Sequence, residues 1–212
     1  MKPVKYPLFC LLMLFSSSTE TAGQNSVSGS TGEGKVIIIN TFDVKARKYR
    51  DRKEEAFLYF IDSLTGMIRE DLKRAYNNEA EVIKGVTQLS WGGGRSIVYS
   101  LIKEKNAAYA IVITSFDIFF EQTGVEVTKT DDGKDRTASY DICSMIGYSF
   151  YSNDSLIKET TVKECRFHSH RKVVSGLLSG GPGVASNKKD AIEIMRINVG
   201  WFLRYYIFRE NN

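Results

Sequence analysis

The chain has 212 residues, 42% hydrophobic and 25% charged, with a formal charge of +4. These values place it among soluble globular proteins with enough apolar material for one good-sized domain. So mild a positive balance asks for no polyanionic partner, and no nucleic acid is expected.

The first residues do not belong to that domain. "MKPVK" is basic, "YPLFCLLMLF" is an apolar run of ten, and "SSSTETAGQ" is small and polar. This is the three-part layout of a secretory signal peptide over 1–23, cut after Gly23; a buried N-terminal helix or strand is the alternative. The run is too short to cross a bilayer, so no transmembrane segment is expected after cleavage. Cys10 is preceded by Leu8 and Phe9 where a lipobox needs small residues, so the expectation is an exported, unlipidated protein, periplasmic or associated with the outer envelope.

Residues 24–34, "QNSVSGSTGEG", have almost nothing to bury and read as a disordered tether. A single domain over 35–212 follows. "KVIIINTFD" reads as a buried strand, and "KARKYRDRK" as a solvated basic loop or first helical turn. From 53 to 76, Phe57, Ile61, Leu64, Ile68, Leu72 and Ala75 recur at intervals of three and four, the stripe of an amphipathic helix. Asn77-Asn78 is its stop signal. Gly66 inside it costs about 1 kcal/mol relative to alanine, which suggests close packing there.

"EAEVIKGV" reads as a second strand and "RSIVYSLIKEKN" as a second helix. A third strand spans 108–120, with turn residues in "EQTGVEVTKTDDGKD". "RTASYDICSMIGYSFY" and "SLIKETTVKECRF" form two long strands around Asn153-Asp154. After the glycine-rich connection 173–186, a helix from about 188 to 208 closes the chain. The expected fold is α+β with one mixed sheet: β-α-β-α, an antiparallel meander, and a C-terminal helix packed on it.

Cys143 and Cys165 lie at nearly equal distances from the hairpin turn "SNDS". Exact register makes them a cross-strand disulfide in an oxidising compartment; an offset of one points them to different faces and leaves buried free thiols.

Other motifs bear on chemistry. "LSWGGGRS" sets glycines, Arg95 and Ser96 at a helix start, but Leu89 stands where a phosphate loop needs its first glycine, and Arg95 replaces the lysine. Gly93, Gly94, Arg95 and Ser96 stay candidates for a generic anion; a flexible turn that lets Trp91 pack is the plainer reading. His168 and His170 are spaced to share one strand face as two metal ligands, although Arg166, Arg171 and Lys172 would repel a cation. Asp131, Asp132 and Asp135 miss calcium-loop spacing, and no nucleophile elbow occurs. No cofactor is indicated, and an enzyme is not the expected reading.

The last helix carries two apolar stripes: Ile192, Met195, Val199, Phe202, Tyr206, and Ile194, Ile197, Trp201, Tyr205, Phe208. A helix apolar nearly all round is expected to be buried on more than one side; the functional reading gives Trp201, Tyr205 and Phe208 to a partner.

The layout over 35–167 and the last helix resembles a group of bacterial envelope domains. They are those of curli-secretion-channel proteins, outer-membrane activators of penicillin-binding proteins, and the N-terminal domain of the Tol–Pal β-propeller protein. "KVIIINTFD" resembles their opening strand, with Thr41-Phe42 in place of a proline-phenylalanine pair. "EAEVI", "NAAYAIVITSFDIFF" and the hairpin "GYSFYSNDSLIKETTV" occupy the places of the next strands. The resemblance implies an exported, non-enzymatic accessory or assembly protein that meets an envelope protein or itself. Peripheral membrane or polysaccharide contact is a minor option. The competing class is a secreted small-ligand or anion binder, or a hydrolase, with a pocket near the Gly92–Gly94 loop.

Overall fold

The computed structural model describes residues 34–41, 51–84, 94–130, 133–153, 155–172 and 182–208. Residues 1–33, on which the signal-peptide reading and nearly all of the tether reading fall, lie outside them, as do the basic run before Asp51, Trp91 to Gly93 and most of the 173–186 connection.

One mixed five-stranded sheet organises the chain. The elements are β1 (Val36–Asn40), α1 (Asp51–Tyr76), β2 (Ala80–Ile83), α2 (Gly94–Glu104), β3 (Tyr109–Thr130), β4 (Gly133–Ser152), β5 (Leu156–Lys172) and α3 (Lys188–Phe202). Strand order is β2-β1-β3-β4-β5, with β1 parallel to β2 and β3, and the β3–β4 and β4–β5 pairs antiparallel. This is the expected α+β architecture, with the C-terminal helix on the sheet.

Alternation of side chains along β1 explains why its whole run is apolar. Ile38 enters a core with Phe57, Phe60, Leu64 and Ile68 of α1 and Ile194, Met195 and Phe202 of α3. Ile37 and Ile39 turn to the other face and meet Val98 and Ile102 of α2. The ends of both α1 and α2 use left-handed asparagines. Asn77 (φ 51°) lets Asn78 N–H donate to the Leu72 carbonyl, and Asn106 (φ 49°) lets Ala107 N–H donate to that of Ile102.

Helix α1 starts at Asp51, so the end of the basic run is its first turn, one of the two readings open for it. Three expectations change. Gly66 is not explained by close packing, because a Cβ there would meet nothing within 4 Å. Most of the segment read as turn after residue 120 is strand: β3 runs to Thr130 and β4 resumes at Gly133, confining the connection to Asp131-Asp132. Likewise β5 continues through both histidines to Lys172.

Candidate functional site

Helix α3 lies along the β4–β5 boundary, held by a polar cluster within the core. Asn198 is fully buried in the middle of the apolar stripe. Its amide nitrogen donates to the Val162 carbonyl on β5 at 2.8 Å and to Ser144 Oγ on β4 at 3.2 Å. Its amide oxygen accepts from Tyr148 Oη at 3.0 Å. Burial pushes the Tyr148 hydroxyl well above its usual pKa, so it stays protonated and remains the donor. Every partner being satisfied, the cluster fixes where the helix sits along the two strands. The signal for it in the sequence is one amide among apolar residues.

A second tie joins β5 to one flank of α3. Arg166 donates to Asp190 Oδ1 at 3.1 Å and to Glu193 Oε2 at 2.9 Å, with a further short contact to Glu193 Oε1. The hydrogen bond from Arg166 holds the Glu193 carboxyl below its ordinary range, and Glu193 in turn raises the guanidinium. Asp190, Glu193, Ile197 and Trp201 are spaced by three, four and four residues, so they share the flank that overlooks β5.

Along that flank the charged start gives way to uncovered apolar surface. Ile197 is 39% exposed, Trp201 43% and Tyr205 37%. Trp201 and Tyr205 stack with ring centroids 4.2 Å apart. The helix is therefore buried along one broad face, through Ala191, Ile194, Met195, Val199 and Phe202, rather than on more than one side. The predicted trio divides: Phe208 is half-buried and stacks on Tyr76 of α1 at 3.4 Å, leaving Trp201 and Tyr205 for contact.

The other predicted sites are less coherent. His168 is the extra residue of a β-bulge, since Tyr140 pairs with Ser169 while Asp141 pairs with Phe167. Its Nδ1 lies 3.4 Å from Asp190 Oδ2, and its ring packs on Phe120 on the helix side of the sheet. His170 instead faces Ser139, at 3.0 Å, and the Phe167 ring on the opposite side. The bulge separates the two rings, so the shared-face spacing argument for a metal pair fails. Gly94 opens α2, with Arg95 and Ser96 exposed in its first turn; Gly93 is outside the described residues.

Cys143 and Cys165 occupy directly paired positions, with their sulfur atoms at disulfide distance and 4.1 Å between Cα atoms. Glu121 Oε2 approaches both sulfurs and accepts from Lys163 Nζ at 2.8 Å. Sulfurs joined to each other present no thiolates, so this grouping is no metal centre.

Beyond α2, the second face of the sheet carries uncovered Met145 and Phe167. Among the described residues, no helix is long and apolar enough to cross a membrane. No protein-family model and no curated protein sequence matches the chain significantly.

Proposed function

We propose that the protein is an exported, non-enzymatic accessory or assembly protein of the cell envelope that works by protein–protein contact through α3 and the adjoining edge of β5. One observation carries the reading. A helix rigidly seated by buried Asn198 leaves Ile197, Trp201 and Tyr205 uncovered side by side. Rigid aromatic side chains supply much contact area at little entropic cost, which is why they dominate interface energetics. The apolar leader and the paired cysteines suit a route into an oxidising compartment.

The test uses the full chain in cells, with a photo-crosslinking residue at position 201 or 205 and a control at Glu70 on the exposed side of α1. The expected result is a mature protein shortened by the leader, in the envelope fraction, forming protein adducts from 201 and 205 but not from 70. A chain that keeps its leader in the cytosol overturns export, and positions 201 and 205 that form no adduct overturn the contact.

A further inference from the structure

The two edges of the sheet differ greatly. Strand β2 is 4 residues long, whereas β5 is 17. A long edge presents a row of unpaired N–H and C=O groups, which proteins ordinarily protect with charges or bulges. Strand β5 has bulges at Ile157 and His168, but the stretch between them is regular. Within it, Lys158-Glu159-Thr160-Thr161-Val162-Lys163-Glu164 reads "KETTVKE". Its charges have an unusual property: run antiparallel against itself, the segment is its own complement.

The geometry points to a two-fold homodimer in which β5 pairs antiparallel with β5 of a second copy, about an axis at Thr161. This deepens the contact reading above and rests on it. Thr161 then faces its own counterpart, and Thr160 faces Val162. Lys158 stands opposite Glu164 and Glu159 opposite Lys163, each pair occurring twice, on opposite faces of the joined sheet. Moving the axis to Thr160 sets Lys158 against Val162 and Glu159 against Thr161, with no opposite charges paired. Moving it to Val162 sets Lys158 against Arg166, cation against cation. Only the Thr161 register pairs both sets of charges.

Three further observations agree. The short Cα separation of Cys143 and Cys165 marks a non-hydrogen-bonded pair. By alternation, the N–H and C=O groups of Glu159, Thr161 and Lys163 therefore point to the open edge, where a second strand needs them. Glu164 is half-buried, has no ion-pair partner among the described residues, and its carboxyl is pushed up by burial; a lysine brought opposite would relieve it. Finally, Asn198 bonds to both β4 and β5, so α3 sits over the line between them. With strands about 4.8 Å apart, a two-fold copy places the two α3 axes roughly 10 Å apart, within the packing distance of helices. The flank bearing Ile197 and Trp201 overlooks β5 near Val162, so both are covered in the dimer. A strand edge, its charges and an aromatic flank then belong to one interface.

The experiment is light scattering and sedimentation of the mature protein over a wide concentration range, with circular dichroism of each variant to confirm folding. The wild type is expected to dimerise. Lys158→Glu sets like charges together twice and weakens the dimer about tenfold or more, and Lys158→Glu/Glu164→Lys restores it to within about threefold. Thr161→Pro removes an outward N–H without touching the β4 ladder, and abolishes the dimer while the monomer stays folded. In a Trp91→Phe background, Trp201 emission shifts to the blue as concentration rises. A monomer at every concentration overturns the dimer, as does a dimer indifferent to Thr161→Pro or not rescued by the charge swap. If crosslinks from 201 reach a different protein while the chain stays monomeric, the dimer fails and the contact reading stands.

Discussion

The two halves of the sheet differ both in strand length and in surroundings. Around β1, β2 and the start of β3, helices cover both faces: α1 on one, α2 on the other, so Ile37, Ile38 and Ile39 are all fully buried. The outer ladder of β3, β4 and β5 has α3 on one face only, and its tip, with Val125 and Val127 half-exposed, has neither. Length of strand and depth of core are thus separate properties here. Strand β1 is core along most of its length, whereas the long strands are core only where helices cover them and elsewhere carry surface and edge.

The strongest way to break this contrast is to delete the same kind of side chain from each half. Ile38→Ala should cost about 4 kcal/mol by urea denaturation, from lost burial plus a cavity closed in by helix and sheet. Val127→Ala at the tip should stay within about 0.5 kcal/mol. Comparable losses at both positions would mean the tip is packed as deeply as the centre. Next in size is Asn198→Ala, which strips Tyr148 Oη, Ser144 Oγ and the Val162 carbonyl of a shared partner. Buried groups left unpaired predict a loss of about 2 kcal/mol. Because the helix is seated by that amide, emission from Trp201 should change along with stability. Gly66→Ala works in the opposite direction: a half-buried helical position with open space around it should gain about 0.5–1 kcal/mol.

What was legible in the sequence follows the same division. Where burial is one- or two-sided and complete, pattern and structure agree: the stripe of α1 from Phe57 to Leu72, with Ala75 exposed beyond it, the isoleucine run of β1 and the Asn77-Asn78 stop. Where the backbone pairs without burying much, side-chain pattern says little. "EQTGVEVTKT" contains Gly124 and alternating polar residues, and it reads as turn because ladder hydrogen bonds leave no mark in composition. Bulges are equally silent. The one at His168 adds a single residue and thereby sends two histidines, spaced for a shared face, to opposite sides. Register was the open question for Cys143 and Cys165, and no spacing rule decides it, since a bulge at Ile157 lies between the turn and the pair. In α3 the alternation of large side chains hid which flank would be covered. Asn198 marks the buried face only once its partners on β4 and β5 are known.

The smallest predicted effect separates fold from interface at a single carboxylate. Burial raises the pKa of Glu164 in the folded chain above its ordinary value. A raised folded-state pKa favours the fold while the group is protonated, and that contribution is lost as pH rises through the folded pKa. In protein dilute enough to be monomeric, Glu164→Gln should therefore melt slightly higher than wild type near neutral pH. The gap should close in acid, where both side chains are neutral. At concentrations where the chain associates the sign reverses, because a neutral amide gives up its charge pairing with Lys158 across the edge. Melting curves at two pH values and two concentrations test this. A variant less stable than wild type in the dilute, neutral arm would show that Glu164 already has a stabilising partner within one chain, removing it from the interface.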